Sequence, residues 1–261
     1  MTILYINFGR SGGTILAKCL ANLPNSILLS EINPLGGCLG GSPENSYDNA
    51  NEQAEHWYNI KLNNENYTDS IIELDQYCTL NNKNLIIRDW SFINFRKHEV
   101  NNYNPPYKFL ALDALVKILV HPFATVRNSI DMWISFGMPN AQDFFQDYLR
   151  FVNELIRLEI KIYKYENFVH NPRRFLKKLC KDLKLPYKDV IKDSINYNKI
   201  TGDVQLGMNS RGIAQNAIKP LPRQLISRMK IVEIEECEDM IMANKLLGYP
   251  TNYKKRFFFN Y

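Results

Sequence analysis

A chain of 261 residues, 45% hydrophobic and 23% charged, can bury a substantial core and is read as one α/β domain over 1–261. Its net charge of +5 is too mild for a dedicated nucleic-acid binder and suits an anionic small ligand. Five scattered cysteines in no metal-binding spacing support neither a disulfide framework nor a zinc site; no apolar run reaches the roughly 20 residues of a membrane-crossing helix, and the chain enters its first strand too soon for a signal peptide, so a cytoplasmic protein is expected.

The apolar run Ile3-Leu4-Tyr5-Ile6 has the length and β-rich composition of a buried strand. A turn follows through Gly9, Arg10, Ser11, Gly12 and Gly13. From Thr14 the apolar residues Ile15, Leu16, Cys19, Leu20 and Leu23 fall at helical spacing. Strand, glycine-rich turn and helix form the geometry of a phosphate cradle. Glycines let backbone N–H groups approach oxygens, and the helix N-terminus adds partial positive charge. Arg10 supplies a full charge and a fork of donors, and Ser11 and Thr14 supply hydroxyls. A turn that merely joins strand to helix is the other reading.

A second strand, Ser26–Leu29, ends at Ser30-Glu31. Ligands of open parallel sheets gather at the carboxyl ends of strands, so Glu31 is placed beside the cradle. Residues 35–55, rich in Gly and Asn, read as a long loop, either a substrate lid or disordered. Two helices are expected between Gln53 and Leu80. A third strand, Leu85–Ile87, ends at Arg88-Asp89-Trp90, which puts a second carboxylate at a strand end. Val116–Val120 and Phe123–Val126 read as strands broken by His121-Pro122. The latter runs into Arg127-Asn128 and a helix from Ser129, its expected N-cap, to Phe136. An amphipathic helix covers 141–160, and the last strand is Lys161–Tyr165. Another helix starts at Asn171-Pro172 and stops at Leu185-Pro186. Residues 193–222 are irregular, and a final helix is expected from Gln224 to Leu247. Strands alternating with helices argue for a single doubly wound, mainly parallel sheet flanked by helices.

Four ordered stretches carry a family resemblance. Arg10-Ser11-Gly12-Gly13-Thr14, directly after a strand, resembles the 5′-phosphosulfate loop of sulfotransferases. Arg127 at a strand end, with Ser135 eight residues on, resembles their 3′-phosphate signature. Eight steps of about 100° leave Ser135 roughly 80° from Arg127 around the helix, so one phosphate can meet both. Tyr165-Glu166-Asn167-Phe168, with Asn171-Pro172 and Leu183-Lys184-Leu185-Pro186, is similar to a third family segment, which implies Tyr165 beside the adenine. Ser210-Arg211-Gly212 resembles the C-terminal loop, which implies Arg211 and Gly212 at the 3′-phosphate. Gly13 stands where many members have Thr, Arg10 where cytosolic members have Lys, and the cytosolic members' catalytic-His signature has no counterpart.

The resemblance implies a P-loop-like sulfotransferase fold. It implies transfer of a sulfuryl group from 3′-phosphoadenosine-5′-phosphosulfate (PAPS) to a hydroxyl on a small molecule or glycan, leaving adenosine 3′,5′-bisphosphate (PAP). No metal is required, because Arg10 and loop amides can meet the charge on the leaving phosphate. Glu31 matches the catalytic Glu position of tyrosylprotein sulfotransferases and is the first candidate base, followed by Asp89 and His121. Trp57, Trp90, Phe92 and Phe95 are candidates to line an acceptor pocket. Two other functions stay open. A P-loop-type nucleotide kinase or hydrolase lacks its Lys-Ser/Thr after the glycines, and a non-catalytic nucleotide-binding protein would keep the cradle without the chemistry.

Overall fold

The computed structural model describes residues 1–36, 49–97, 103–195, 197–201 and 217–255. Five strands, β1 (Thr2–Asn7), β2 (Ser26–Ile32), β3 (Asn84–Asp89), β4 (Val120–Val126) and β5 (Lys161–Lys164), form one sheet in the order β2-β3-β1-β4-β5. Every pairing is parallel. The switch point of the order lies at the carboxyl end of β1, where the glycine-rich turn begins.

Helices cover both faces, as the strand side chains require. Along β1, Leu4 and Ile6 point into one core, and Ile3 and Tyr5 into another. The first core packs residues of α2 (Ala50–Tyr58), α3 (Tyr67–Leu80), α4 (Leu110–Ala114), α5 (Ser129–Ser135), α6 (Ala141–Arg157), α10 (Arg228–Glu235) and α11 (Glu238–Leu246). The second packs α1 (Gly13–Ala21), α7 (Tyr165–His170), α8 (Pro172–Asp182) and α9 (Ile191–Ile195). Strands buried on both faces explain the continuous apolar runs of β1 to β3.

Four elements differ from expectation. The stretch Val116–Leu119 is not a strand: Val116 and Leu119 are 78% and 77% exposed. β4 instead runs unbroken through His121 and Pro122. Proline is tolerated because β4 meets β5 only from Phe123 onward, so its missing N–H falls where that side of the strand has no ladder. The final helix divides at Glu236-Cys237 into α10 and α11. Glu238 and Asp239 in the first turn of α11 suit its new N-terminus, although Glu235 and Glu236 oppose the C-terminus of α10. Asn128, not Ser129, caps α5, accepting from Ile130 N and Asp131 N. The loop expected to reach residue 55 ends at Asn49, which caps α2 by accepting from Glu52 N. Cys19, Cys78, Cys180 and Cys237 are free thiols in the core.

Candidate active site

A cavity of about 730 Å³ opens at the carboxyl ends of the strands and is lined by residues of both predicted turns. Gly9, Arg10, Gly12, Gly13 and Thr14 form one wall, and Arg127, Ser135 and Tyr165 another. Glu31, Arg88 and Asp89 come from the ends of β2 and β3. Ser11 is not in the lining; it is fully buried, and its hydroxyl donates to the Phe8 carbonyl at 2.6 Å, holding the turn closed. Arg211 and Gly212 lie outside the described residues. His121 sits within β4 opposite Ile3, toward the other end of the sheet, and is not among the lining residues.

The first turn is held in shape by its glycines and by Arg10. Gly12 has φ +83, and a Cβ there would lie 2.2 Å from the Tyr165 ring. Only glycine allows that conformation together with that contact. Arg10 itself is left-handed, with φ +65. Its Nε donates to both the carbonyl and the hydroxyl of Ser135, at 3.0 Å each. Helix α1 begins with no side-chain cap and no acidic residue in its first turn. By contrast, Asn side chains cap α2, α3, α5, α6 and α8. An uncapped helix N-terminus beside a guanidinium is a ready anion site.

The second turn is clamped from beneath. Tyr148 Oη donates to the Arg127 carbonyl at 3.2 Å, and Asn128 N donates to Glu166 at 2.9 Å. Tyr249 Oη donates to Glu166 at 2.6 Å, and Ser129 Oγ donates to Asn244 at 2.8 Å. Burial raises the Glu166 carboxyl above its usual range, opposed by these hydrogen bonds. So fixed, Arg127 lies over the Tyr165 ring at 5.2 Å.

The two carboxylates differ in surroundings. Glu31 occupies a bulge: the β2–β3 register shifts between Ser30 and Ile32, and Glu31 has φ +54. Bulges re-aim side chains, and this one turns Glu31 toward buried Arg88, whose Nη2 donates to it at 2.7 Å. Arg88 is braced by Asn7 at 3.3 Å and Ser30 at 3.4 Å. Asp89 is 1% exposed. Its Oδ1 accepts from Asn33 at 2.6 Å, while the buried Oδ2 has no hydrogen-bond partner among the described residues. Desolvation pushes its pKa up to about 6, against the hydrogen bonds of Ser91 and Asn33.

Of the aromatic candidates, Trp90 and Phe92 line the cavity. Phe95 is fully buried in the core, and Trp57 is not among the lining residues. Four participants were not singled out by the sequence: Asn7, Asn33, Phe136 and Arg223. Asp131 of α5 meets Arg223 at 3.3 Å. The rigid Pro220-Leu221-Pro222 just before Arg223 was the one available signal. Among the described residues, no group of three or more His, Cys, Asp or Glu side chains is placed to hold a metal ion, and no helix is long and apolar enough to cross a membrane.

No protein-family model and no curated protein matches the chain. Among solved structures it is similar to the sulfotransferase domain from the olefin synthase of Synechococcus PCC 7002. That likeness covers 96% of this chain and 95% of that one, with a TM-score of 0.58 and 15% identity. The chain has the sulfotransferase fold. It is also similar to the sulfotransferase domain from the curacin biosynthetic pathway, over 95% of this chain and 97% of that one, with a TM-score of 0.56 and 14% identity. The sulfotransferase-type sheet explains why turns 117 residues apart, at Arg10 and Arg127, flank one cavity: β1 and β4 are adjacent strands, and both turns leave their carboxyl ends.

Proposed function

We propose that the whole chain acts as one sulfotransferase domain, moving a sulfuryl group from PAPS to a hydroxyl acceptor. The observation that carries this reading is the meeting of the two arginine-bearing turns in one cavity of the sulfotransferase fold. The cavity suits a doubly phosphorylated nucleotide. It has an uncapped helix N-terminus, five cationic side chains (Arg10, Arg88, Arg127, Lys219 and Arg223) against three carboxylates (Glu31, Asp89 and Asp131), and an aromatic ring at Tyr165.

In this reading Arg10, Gly12, Gly13 and Thr14 hold the 5′-phosphosulfate end, with Ser11 shaping the turn. Arg127 and Ser135 hold the 3′-phosphate, and Tyr165 walls the adenine. Arg211 and Gly212 are proposed to add to the 3′-phosphate grip. When bound, PAPS supplies a sulfuryl group on a phosphate leaving group. Arg10 and the N–H groups of the turn offset charge on that phosphate. Glu31 accepts the acceptor's proton, with Arg88 fixing its orientation. Asp89, desolvated and with one buried oxygen unpartnered among the described residues, is the second candidate for that role. No metal enters this scheme, and a cytoplasmic setting is the expected one.

Calorimetric titration with PAP tests the reading. Micromolar or tighter binding, weakened about tenfold or more in both Arg10→Ala and Arg127→Ala, supports it. No binding to the unaltered protein, or magnesium-dependent ATP turnover instead, overturns it.

A further inference from the structure

Besides the arginine turns, the cavity lining carries a group of aromatic and apolar side chains: Trp90, Phe92 and Phe136, with Ile134, Leu221 and Pro222. The Trp90 and Phe92 rings are 5.6 Å apart and edge-on, and Phe92 and Phe136 are 6.5 Å apart. Buried Phe8 supports both phenylalanines, at 6.3 and 6.4 Å. This aromatic wall abuts the phosphate turn directly: a Cβ on Gly9 would lie 2.6 Å from the Phe136 ring. Trp90 is adjacent in sequence to Asp89, and its N–H bonds to the Ile32 carbonyl at 3.2 Å, beside Glu31.

We infer that the acceptor is an uncharged alcohol or phenol with a flat apolar body, bound against Trp90, Phe92 and Phe136. The inference rests on the sulfotransferase reading above and adds the class of substrate to it. Three arguments carry it. Rings in this arrangement gain most from burying an apolar, planar partner. A sugar would carry several hydroxyls onto these rings, where each lost hydrogen bond opposes binding. An anionic glycan would need cations turned to the acceptor, yet Arg88 is engaged by Glu31, Arg223 by Asp131, and Arg96 lies over the Phe136 ring at 4.7 Å. Glu31 and Asp89 would repel it further.

The test uses 2-naphthol, cellobiose and a uronate-containing disaccharide. Each is titrated by calorimetry into the PAP-loaded full chain, and each is offered as acceptor with radiolabelled PAPS. The inference expects 2-naphthol alone to bind at micromolar to submillimolar concentration, with kcat/KM at least 100-fold above either sugar. Trp90→Ala should weaken 2-naphthol binding at least tenfold and leave PAP affinity within twofold. Should that variant not fold, Trp90→Phe and Phe92→Leu give the same reading with smaller changes. Preferred binding or turnover of either sugar overturns the inference while leaving the sulfotransferase reading intact. Absence of PAP binding overturns both.

Discussion

Arg127 donates from Nη1 to the backbone carbonyl of Arg10 at 3.1 Å. Two turns far apart in the chain are thus joined by a direct bond, and each guanidinium also serves as scaffold for the other turn: Arg10 reaches Ser135, eight residues beyond Arg127. Their effects on nucleotide binding are therefore expected to be coupled. Arg127→Ala or Arg10→Ala should raise the Kd for PAP by about 10- to 100-fold, the value of one charge-assisted bond or two. The double variant should lose less than the sum of the two losses, because each removal loosens the other's turn. Calorimetry on the three variants checks this; strict additivity would show the turns to be independent.

Gly12 is expected to tolerate no side chain. Gly12→Ala must place a Cβ at φ +83 and 2.2 Å from the Tyr165 ring. Backbone strain alone costs roughly 1–3 kcal/mol, and displacing Tyr165 adds to it. A fall in Tm with weakened PAP binding is the expected result. Tyr165→Ala in the same chain should recover part of the stability, since it removes the clash and leaves the strain.

Asp89 should make stability depend on pH in the sense opposite to a salt-bridged carboxylate. Its folded pKa of about 6 lies above its unfolded value, so between about pH 4 and 6 the folded state holds a proton that the unfolded state has released. Stability therefore falls as pH rises through that window and stays lower above it. A difference of about two pH units corresponds to about 2–3 kcal/mol. Asp89→Asn cannot ionise, so its stability relative to the unaltered protein should rise by that order between pH 4 and pH 8. Urea titrations at the two pH values measure it; an unchanged difference would mean that Asp89 is solvated.

The clamp under the second turn predicts a binding defect from residues that line no part of the cavity. Tyr249→Phe removes a donor to Glu166 and to the Val126 carbonyl. A loss of about 1–3 kcal/mol in stability and weaker PAP binding are expected, with acceptor KM unchanged. Equal weakening of acceptor and PAP binding would mean general loosening rather than a clamp.

Much of this arrangement was legible in the chain. Apolar runs marked β1, β2, β3 and the second half of β4, because strands covered on both faces leave no polar alternation to obscure them. The spacing of Arg10, Arg127 and Tyr165 from strand ends placed them at one edge of the sheet. Other features were hidden for identifiable reasons. The run Val116–Val120 has strand composition, but its first residues are exposed, and composition does not report burial. The break at Glu236-Cys237 carries no glycine or proline, so no breaker residue marked it. Pairs such as Asp131 with Arg223, or Asp89 with Asn33, depend on tertiary geometry that no local pattern encodes.

The left-handed bulge at Glu31 has a consequence for how this protein can change. An L-residue pays about 1–2 kcal/mol in that backbone region, and glycine pays none. Glu31→Gly is therefore expected to ease the main chain at the same position where it deletes the proposed base. Arg10, at φ +65, presents the same dilemma on the facing turn. At these two positions the relief of the main chain is set against the loss of contacts: Glu31→Gly would leave buried Arg88 without its carboxylate, and Arg10→Gly would leave Ser135 without its donor, so the strained residues persist because their side chains hold the two turns in place.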